Sequence, residues 1–135
     1  MNCLLFGYGY MGKIRYQVLR KHPAVQQIMV VDPFLDPSTT GLGSALLPRG
    51  AEIPWDQVDA VCVCTPNNVT AELCVEGLRR CGRVFCEKPP GRNWEEFCRI
   101  AAAAAEVPGH TLVFGFNHRL HPSVQAAKRS EYRSG

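Results

Sequence analysis

The chain has 135 residues, 46% of them hydrophobic and 20% charged, which fits one globular domain with a single buried core. Its net charge of +3 is mild and its basic residues (among them Arg15, Arg20, Lys21, Arg79, Arg80, Arg83, Lys128, Arg129 and Arg133) are scattered, which argues against nucleic acid as the main partner. The longest apolar stretch, Val58 to Cys64, is strand-sized and contains Asp59, so no segment is expected to span a membrane.

Cys3 to Phe6 is a first strand, and it has neither the basic leader nor the length of a signal peptide. A glycine-rich turn follows. Met11 to Lys21 then reads as a helix, with Met11, Ile14, Val18 and Leu19 near one face and Pro23 closing it. Gln27 to Val31 is a second strand, stopped by Asp32-Pro33. From Pro33 to Pro54 the chain is rich in Pro, Gly, Ser and Thr and reads as loop, with a short strand expected at Ala51 to Ile53. Ala60 to Cys64 is a strand covered on both faces, broken by Thr65-Pro66-Asn67. Ala71 to Arg80 is a helix ended by Cys81-Gly82, and Arg83 to Cys86 is the next strand. Glu87 to Gly91 is a stiff turn, Asn93 caps a helix running to Glu106, Thr111 to Phe116 is the last strand, and Pro122 opens a final helix. This alternation is the signature of βαβ units and a parallel sheet.

The seven cysteines, at 3, 62, 64, 74, 81, 86 and 98, sit mostly in apolar runs, which reads as reduced thiols of a cytoplasmic protein. Cys62 and Cys64 share one face of a strand, but no CxxC or HxxxH completes a metal set, so core packing explains them better and no metal is expected.

Gly7-Tyr8-Gly9-Tyr10-Met11-Gly12 is a GxGxxG motif between a strand and a helix, with Asp32 twenty residues beyond Gly12. Gly7 permits the turn, Gly9 lets a pyrophosphate approach the backbone, and Gly12 lets the helix pack on the strand. The first-turn N–H groups, from Tyr10, Met11 and Gly12, face the phosphates. Asp32 is placed to accept the adenine ribose hydroxyls, and Pro33-Phe34 supplies no positive charge for a 2′-phosphate, so NAD is preferred to NADP. These features define a Rossmann-type, doubly wound, mainly parallel α/β fold.

Three more segments end predicted strands: Thr65-Pro66-Asn67, Glu87-Lys88-Pro89 and Gly115-Phe116-Asn117-His118-Arg119. In this order after GxGxxG, they make the chain from Met1 to about Lys128 resemble the Gfo/Idh/MocA family of oxidoreductases, most specifically at Cys86-Glu87-Lys88-Pro89-Pro90. The resemblance implies hydride transfer between NAD(P) and a sugar, cyclitol or related hydroxy compound. It makes Lys88 the active-site lysine, near the nicotinamide of the cofactor and the substrate hydroxyl, with Glu87 and Pro89 positioning it. It sets Thr65, Pro66 and Asn67 along the nicotinamide side of the cofactor, and Asn117 to Arg119 on the way to the substrate. Chemically, a cationic lysine stabilises the alkoxide charge that develops as an alcohol is oxidised, and the Pro89-Pro90 pair leaves room for a cis bond before Pro89.

Two departures accompany the resemblance. The family often carries a histidine where this chain has Thr70, a residue suited to capping the next helix; His118 is the candidate replacement. The family also continues into a C-terminal α/β substrate domain that commonly forms the oligomer interface. Residues 1–119 therefore read as the dinucleotide-binding domain and 120–135 as the start of the helix leading to an absent second domain. On that reading the chain alone binds NAD(H) but turns over a substrate poorly, and an exposed apolar face leaves self-association into a homo-oligomer open. The alternatives are a non-catalytic nicotinamide-binding sensor or scaffold and, less well matched, a domain for S-adenosylmethionine.

Overall fold

The computed structural model describes residues 1–131. Residues 132–135, the end of the segment expected to lead towards a second domain, lie outside the described residues. Five parallel strands, β1 (Asn2–Phe6), β2 (Gln27–Val31), β3 (Ala60–Val63), β4 (Arg83–Cys86) and β5 (Thr111–Phe114), form one sheet in the order β2-β1-β3-β4-β5. The helices are α1 (Tyr10–Lys21), the single turn α2 (Pro37–Thr40), α3 (Asn67–Cys81), α4 (Trp94–Glu106) and α5 (Pro122–Glu131). The doubly wound parallel sheet expected from the β-α alternation is therefore present.

Alternation along each strand sorts the side chains into two cores. Leu4, Phe6, Met29, Val61, Val63, Val84 and Cys86 pack on one face against Ala71, Cys74 and Leu78 of α3 and Ile100, Ala103 and Ala104 of α4. Leu5, Ile28, Val30 and Cys62 point to the other face, where Leu19 of α1 and the loop residues Leu42 and Leu46 cover them. The alanine run of α4 is small enough to let α3 and α4 lie side by side. Local chemistry ends these helices as anticipated: Gly82, at φ +73°, donates its N–H to the carbonyls of Gly77 and Leu78. Asn93 Oδ1 accepts the Glu96 N–H at 2.9 Å, and Glu96 reaches back to the Arg92 N–H at 2.7 Å. Hydrogen bonds from Arg92 hold the Glu96 carboxyl below its ordinary pKa.

Four expectations about element bounds and burial are corrected by the structure. No strand forms at Ala51 to Ile53, because Pro48, Gly50 and Pro54 leave too few residues for a ladder; instead a single bridge joins Leu46 to Val30 at the outer edge of β2. Helix α3 starts at Asn67, not Ala71: Pro66 has the extended backbone of a cap residue, and the chain turns helical immediately after it. Strand β5 stops at Phe114, and Asn117–Leu120 forms a 3-10 turn rather than a strand end. Val18, expected on the covered face of α1, is 56% exposed. It borders an open apolar trough of about 460 Å³, lined also by Arg15, Leu19, Cys62, Phe85 and Val113, where no described helix covers β4 and β5. Among the described residues no helix is long and apolar enough to cross a membrane.

Candidate functional site

Parallel strands bring every strand's C-terminal end to one edge of the sheet, and the chain leaves β1 and β3 in opposite directions along the strand order. The crevice between those two strand ends is where an open α/β sheet receives its ligand. The glycine loop and Thr65 form its two sides. Gly7, at φ +83°, donates its N–H to the Val31 carbonyl at 2.9 Å, and a Cβ there would lie 2.7 Å from the Cys64 carbonyl oxygen and 3.1 Å from Thr65 Cγ2. A Cβ on Gly12 would lie 2.1 Å from the Gly7 carbonyl oxygen, so this glycine is required for α1 to approach the loop. Gly9 differs: beyond its two chain neighbours, nothing stands within 4 Å of its Cβ position, and the protein's own packing does not require a glycine there. Gly9 also caps α1 without any side-chain hydrogen bond, and the first turn holds no acidic residue. The N–H groups of Tyr10, Met11 and Gly12 thus lack intrahelical partners and point out of an uncapped helix start. The Tyr10 ring is exposed and Met11 half-buried.

Asp32 follows β2 and straps the loop. Its Oδ2 accepts the Tyr8 N–H at 2.8 Å, and its Oδ1 accepts the Phe34 N–H at 3.0 Å. The carboxylate therefore builds a local turn and ties the glycine loop to β2, and each oxygen keeps a lone pair for a further donor. No lysine or arginine lies in the Pro33 to Ser38 segment.

Across the crevice, Thr70 is buried in the fourth position of α3, so it cannot be the cap suggested by its sequence position. Its hydroxyl instead lies within hydrogen-bonding distance of the Thr65 hydroxyl (3.1 Å) and of the carbonyls of Thr65 (3.2 Å) and Pro66 (3.1 Å). It knits the Thr65-Pro66-Asn67 turn to the helix. Asn67 becomes the first residue of α3 rather than part of a loop.

Glu87 and Lys88 leave β4 beside this turn. Glu87 is buried, its N–H donates to the Val63 carbonyl at 2.9 Å, and its Oε2 accepts the Lys88 N–H at 3.3 Å. Its Oε1 accepts Nε of Arg15 at 2.7 Å and also Nη2 of the same guanidinium. That guanidinium lies 4.8 Å from the centre of the Phe85 ring. On the far side, a Cβ on Gly115 would fall 2.7 Å from Glu87 Oε2, so Gly115 makes room for the carboxylate. The Lys88–Pro89 bond is cis and the Lys88 side chain is exposed at the sheet edge.

Arg15 is the residue that sequence reasoning missed. The available signal was a charge on α1 three positions after Gly12, on the side of the helix that faces the sheet. His118 is not brought to the others. It lies exposed on the 3-10 turn, and no hydrogen bond among the described residues ties its ring to Glu87 or Lys88. Among the described residues there is also no group of three or more His, Cys, Asp or Glu side chains arranged to hold a metal.

A parallel sheet with an uncapped glycine loop at its switch point, strapped by an acid from the next strand, defines a nucleotide-binding α/β domain. Residues 1–115 match the oxidoreductase family with the NAD-binding Rossmann fold, Gfo/Idh/MocA, and the chain belongs to that family. Inositol 2-dehydrogenase of Rhizobium meliloti is 26% identical over 130 residues, covering 93% of this chain and 39% of the relative. The rhizopine catabolism protein MocA of Rhizobium meliloti is 27% identical over 134 residues, covering 97% and 42%. Scyllo-inositol dehydrogenase from Lactobacillus casei, solved with bound NAD(H) and scyllo-inositol, superposes with a TM-score of 0.79 at 22% identity, covering 98% of this chain and 41% of that one. The chain thus spans about two fifths of the length of the relatives it matches.

Proposed function

We propose that this chain is the cofactor-binding part of an NAD-dependent dehydrogenase that oxidises a hydroxyl of a cyclitol or sugar-like compound. The observation that carries the reading is Gly9: its missing side chain leaves open space directly above an uncapped helix start, a fit for a pyrophosphate. Gly7, Tyr10, Met11 and Gly12 would hold the phosphates, and Asp32 the adenine ribose. Thr65, Pro66, Asn67 and Glu87 would line the nicotinamide side. When bound, NAD supplies the hydride acceptor. Lys88 would hold the substrate hydroxyl by its ammonium and stabilise the oxygen as its proton leaves. His118, exposed on its turn, would need a substrate to bridge to Lys88 before it took part. Residues 1–135 by themselves are expected to bind the dinucleotide and turn over a cyclitol poorly, since one domain offers few walls to orient a substrate.

Titrating NADH and following its fluorescence should give saturable binding, with NADPH weaker. Asp32→Ala should weaken NADH about tenfold, as a charged acceptor of hydroxyls is lost. The ratio between the two cofactors is the decisive readout. Loosening the Tyr8 strap would weaken both equally, whereas removing the carboxylate relieves repulsion only for the 2′-phosphate, so the NADH preference should shrink. Absence of binding at millimolar NADH would overturn the reading. Lys88→Met should leave NADH affinity nearly unchanged while removing any NAD-dependent oxidation of myo-inositol; an unchanged rate would take Lys88 out of the chemistry.

A further inference from the structure

Neither the cofactor reading nor the core accounts fully for Cys62 and Cys64. Their Sγ atoms stand 3.7 Å apart. Cys62 is buried beneath the open trough, at 7% exposure, whereas Cys64 is half-buried, so Cys64 is the sulfur that small solutes reach. Cys74 and Cys86 also touch, but both are fully buried on the other face of the sheet. Cys64 has a particular position. Its N–H donates to the Phe6 carbonyl at 2.8 Å, its own carbonyl lies against Gly7, and its Cβ is 3.8 Å from where a Gly12 side chain would begin. It is the floor beneath the glycine loop.

We propose that Cys62 and Cys64 form a reversible oxidation site for hydroperoxides, closing to a disulfide that loosens the glycine loop and lowers affinity for the dinucleotide. The coupling to affinity rests on the proposed cofactor reading; the oxidation does not. Alternate strand residues have Cα atoms about 6.6 Å apart, near the upper limit a disulfide spans, so the bond closes only with backbone movement. The sulfurs must approach by about 1.7 Å to reach bonding distance from their present 3.7 Å. Cys62 is locked by pairing with Leu5 of β1 and Phe85 of β4, whereas Cys64 lies just beyond the last residue of β3. The movement therefore falls on Cys64, under the loop. A bond made against such strain is easily reduced, which suits a reversible site.

The contact with Cys64, and then burial, push the Cys62 thiol well up, so Cys62 keeps its proton and Cys64 meets the oxidant first. Attack of the Cys64 sulfur on the peroxide breaks the O–O bond, giving a sulfenic acid and an alcohol, or water from hydrogen peroxide. The Cys62 sulfur then displaces the hydroxyl, which leaves as water with the Cys62 proton. Two electrons pass from the two thiols to the peroxide, and a dithiol reductant reverses the change.

The test uses the full chain carrying Cys98→Ser, which removes the exposed thiol, treated with hydrogen peroxide, alkylated and digested with trypsin. The peptide from Gly50 to Arg79 should carry one alkyl group where the reduced protein's carries three, and be lighter by about a further 2 Da, with fragment ions placing the bond between Cys62 and Cys64 and leaving Cys74 alkylated. Oxidised protein should bind NADH about tenfold more weakly than reduced protein, and dithiothreitol should restore it. By reciprocity, saturating NADH should raise the midpoint potential of the pair by about 30 mV. Amide exchange at Gly7 and Tyr8, whose N–H groups are bonded to Val31 and Asp32, should speed up on oxidation, and Cys62→Ala should show none of these responses. An unshifted peptide at peroxide levels that oxidise Cys98 of the unsubstituted chain would overturn the oxidation site. A disulfide that alters neither loop exchange nor affinity would overturn the coupling. If reduced protein fails to bind NADH, the cofactor reading falls, and peptide mass and loop exchange still decide the inference.

Discussion

Gly12→Ala is expected to destabilise the fold by about 3 kcal/mol and to abolish dinucleotide binding, while Gly9→Ala abolishes binding with almost no loss of stability. The added Cβ at Gly12 would stand 2.1 Å from the Gly7 carbonyl oxygen and 2.9 Å from its carbon. Those atoms cannot swing aside, because Gly7 sits at φ +83° and its N–H is held by Val31. Helix α1 must lift instead, carrying its own N–H groups away from the crevice and Arg15 away from Glu87. At Gly9 the new methyl meets nothing within 4 Å, so the protein should tolerate it at a cost of about 1 kcal/mol or less, the penalty of alanine at a helix cap. The same methyl fills the space assigned to the pyrophosphate. Thermal unfolding and NADH titration of the two variants separate these effects. Wild-type affinity in Gly9→Ala would show that the loop is not a phosphate cradle.

Much of this architecture was legible because the parallel strands are short apolar runs punctuated by Gly, Pro and Asn, and each run ends near its observed boundary. The glycine loop and Asp32 were equally plain, since chain spacing alone sets them at adjacent strand ends. What escaped depended on contacts between elements distant in the chain. The outer edge of β2 is taken by Leu46 rather than Ala51 to Ile53, and only packing of the loop over Ile28 and Val30 selects it. The start of α3 was placed late because Thr-Pro-Asn reads as a turn, yet a residue after proline is free to begin a helix, and Thr70 supplies hydroxyl contacts to that turn from inside it. Val18 looked buried because helical periodicity assumes a covered face; here the trough leaves that face open. Its position at the end of β2 marks Asp32 as a ribose acceptor, and the structure adds a further use, the hold on Tyr8. Arg15 was invisible as a partner because Glu87 lies 72 residues away.

That pair carries the second large effect. Arg15→Met is expected to destabilise the protein by about 3 kcal/mol, a fall of roughly 10 °C in Tm for a chain of this size. The Glu87 side chain is 9% exposed and that of Arg15 20%, so the two partners are unequal. Remove the arginine, and a carboxylate remains beside Gly115 without counter-charge and with little exposure to water. Remove the carboxylate charge by Glu87→Gln, and the guanidinium can still reach solvent through the trough and keep its contact with Phe85. The single Glu87→Gln change should therefore cost about 1 kcal/mol, in the range of one hydrogen bond. In Arg15→Met with Glu87→Gln, the buried group is a neutral amide and most of the lost stability should return, leaving a deficit of about 1 kcal/mol and a coupling of about 3 kcal/mol in the double-mutant cycle. Chemical denaturation of the four proteins measures it. A double variant no more stable than Arg15→Met would mean that the arginine acts through its packing on Phe85 rather than through its charge. The cycle matters for the site because this pair is the link from α1, which begins at the glycine loop, to the strand end bearing Lys88. If the coupling is present, the glycine loop and the lysine turn are held together by a charge pair, and a Lys88 amide resonance that shifts in Arg15→Met but recovers in the double variant would show that the link reaches the lysine itself.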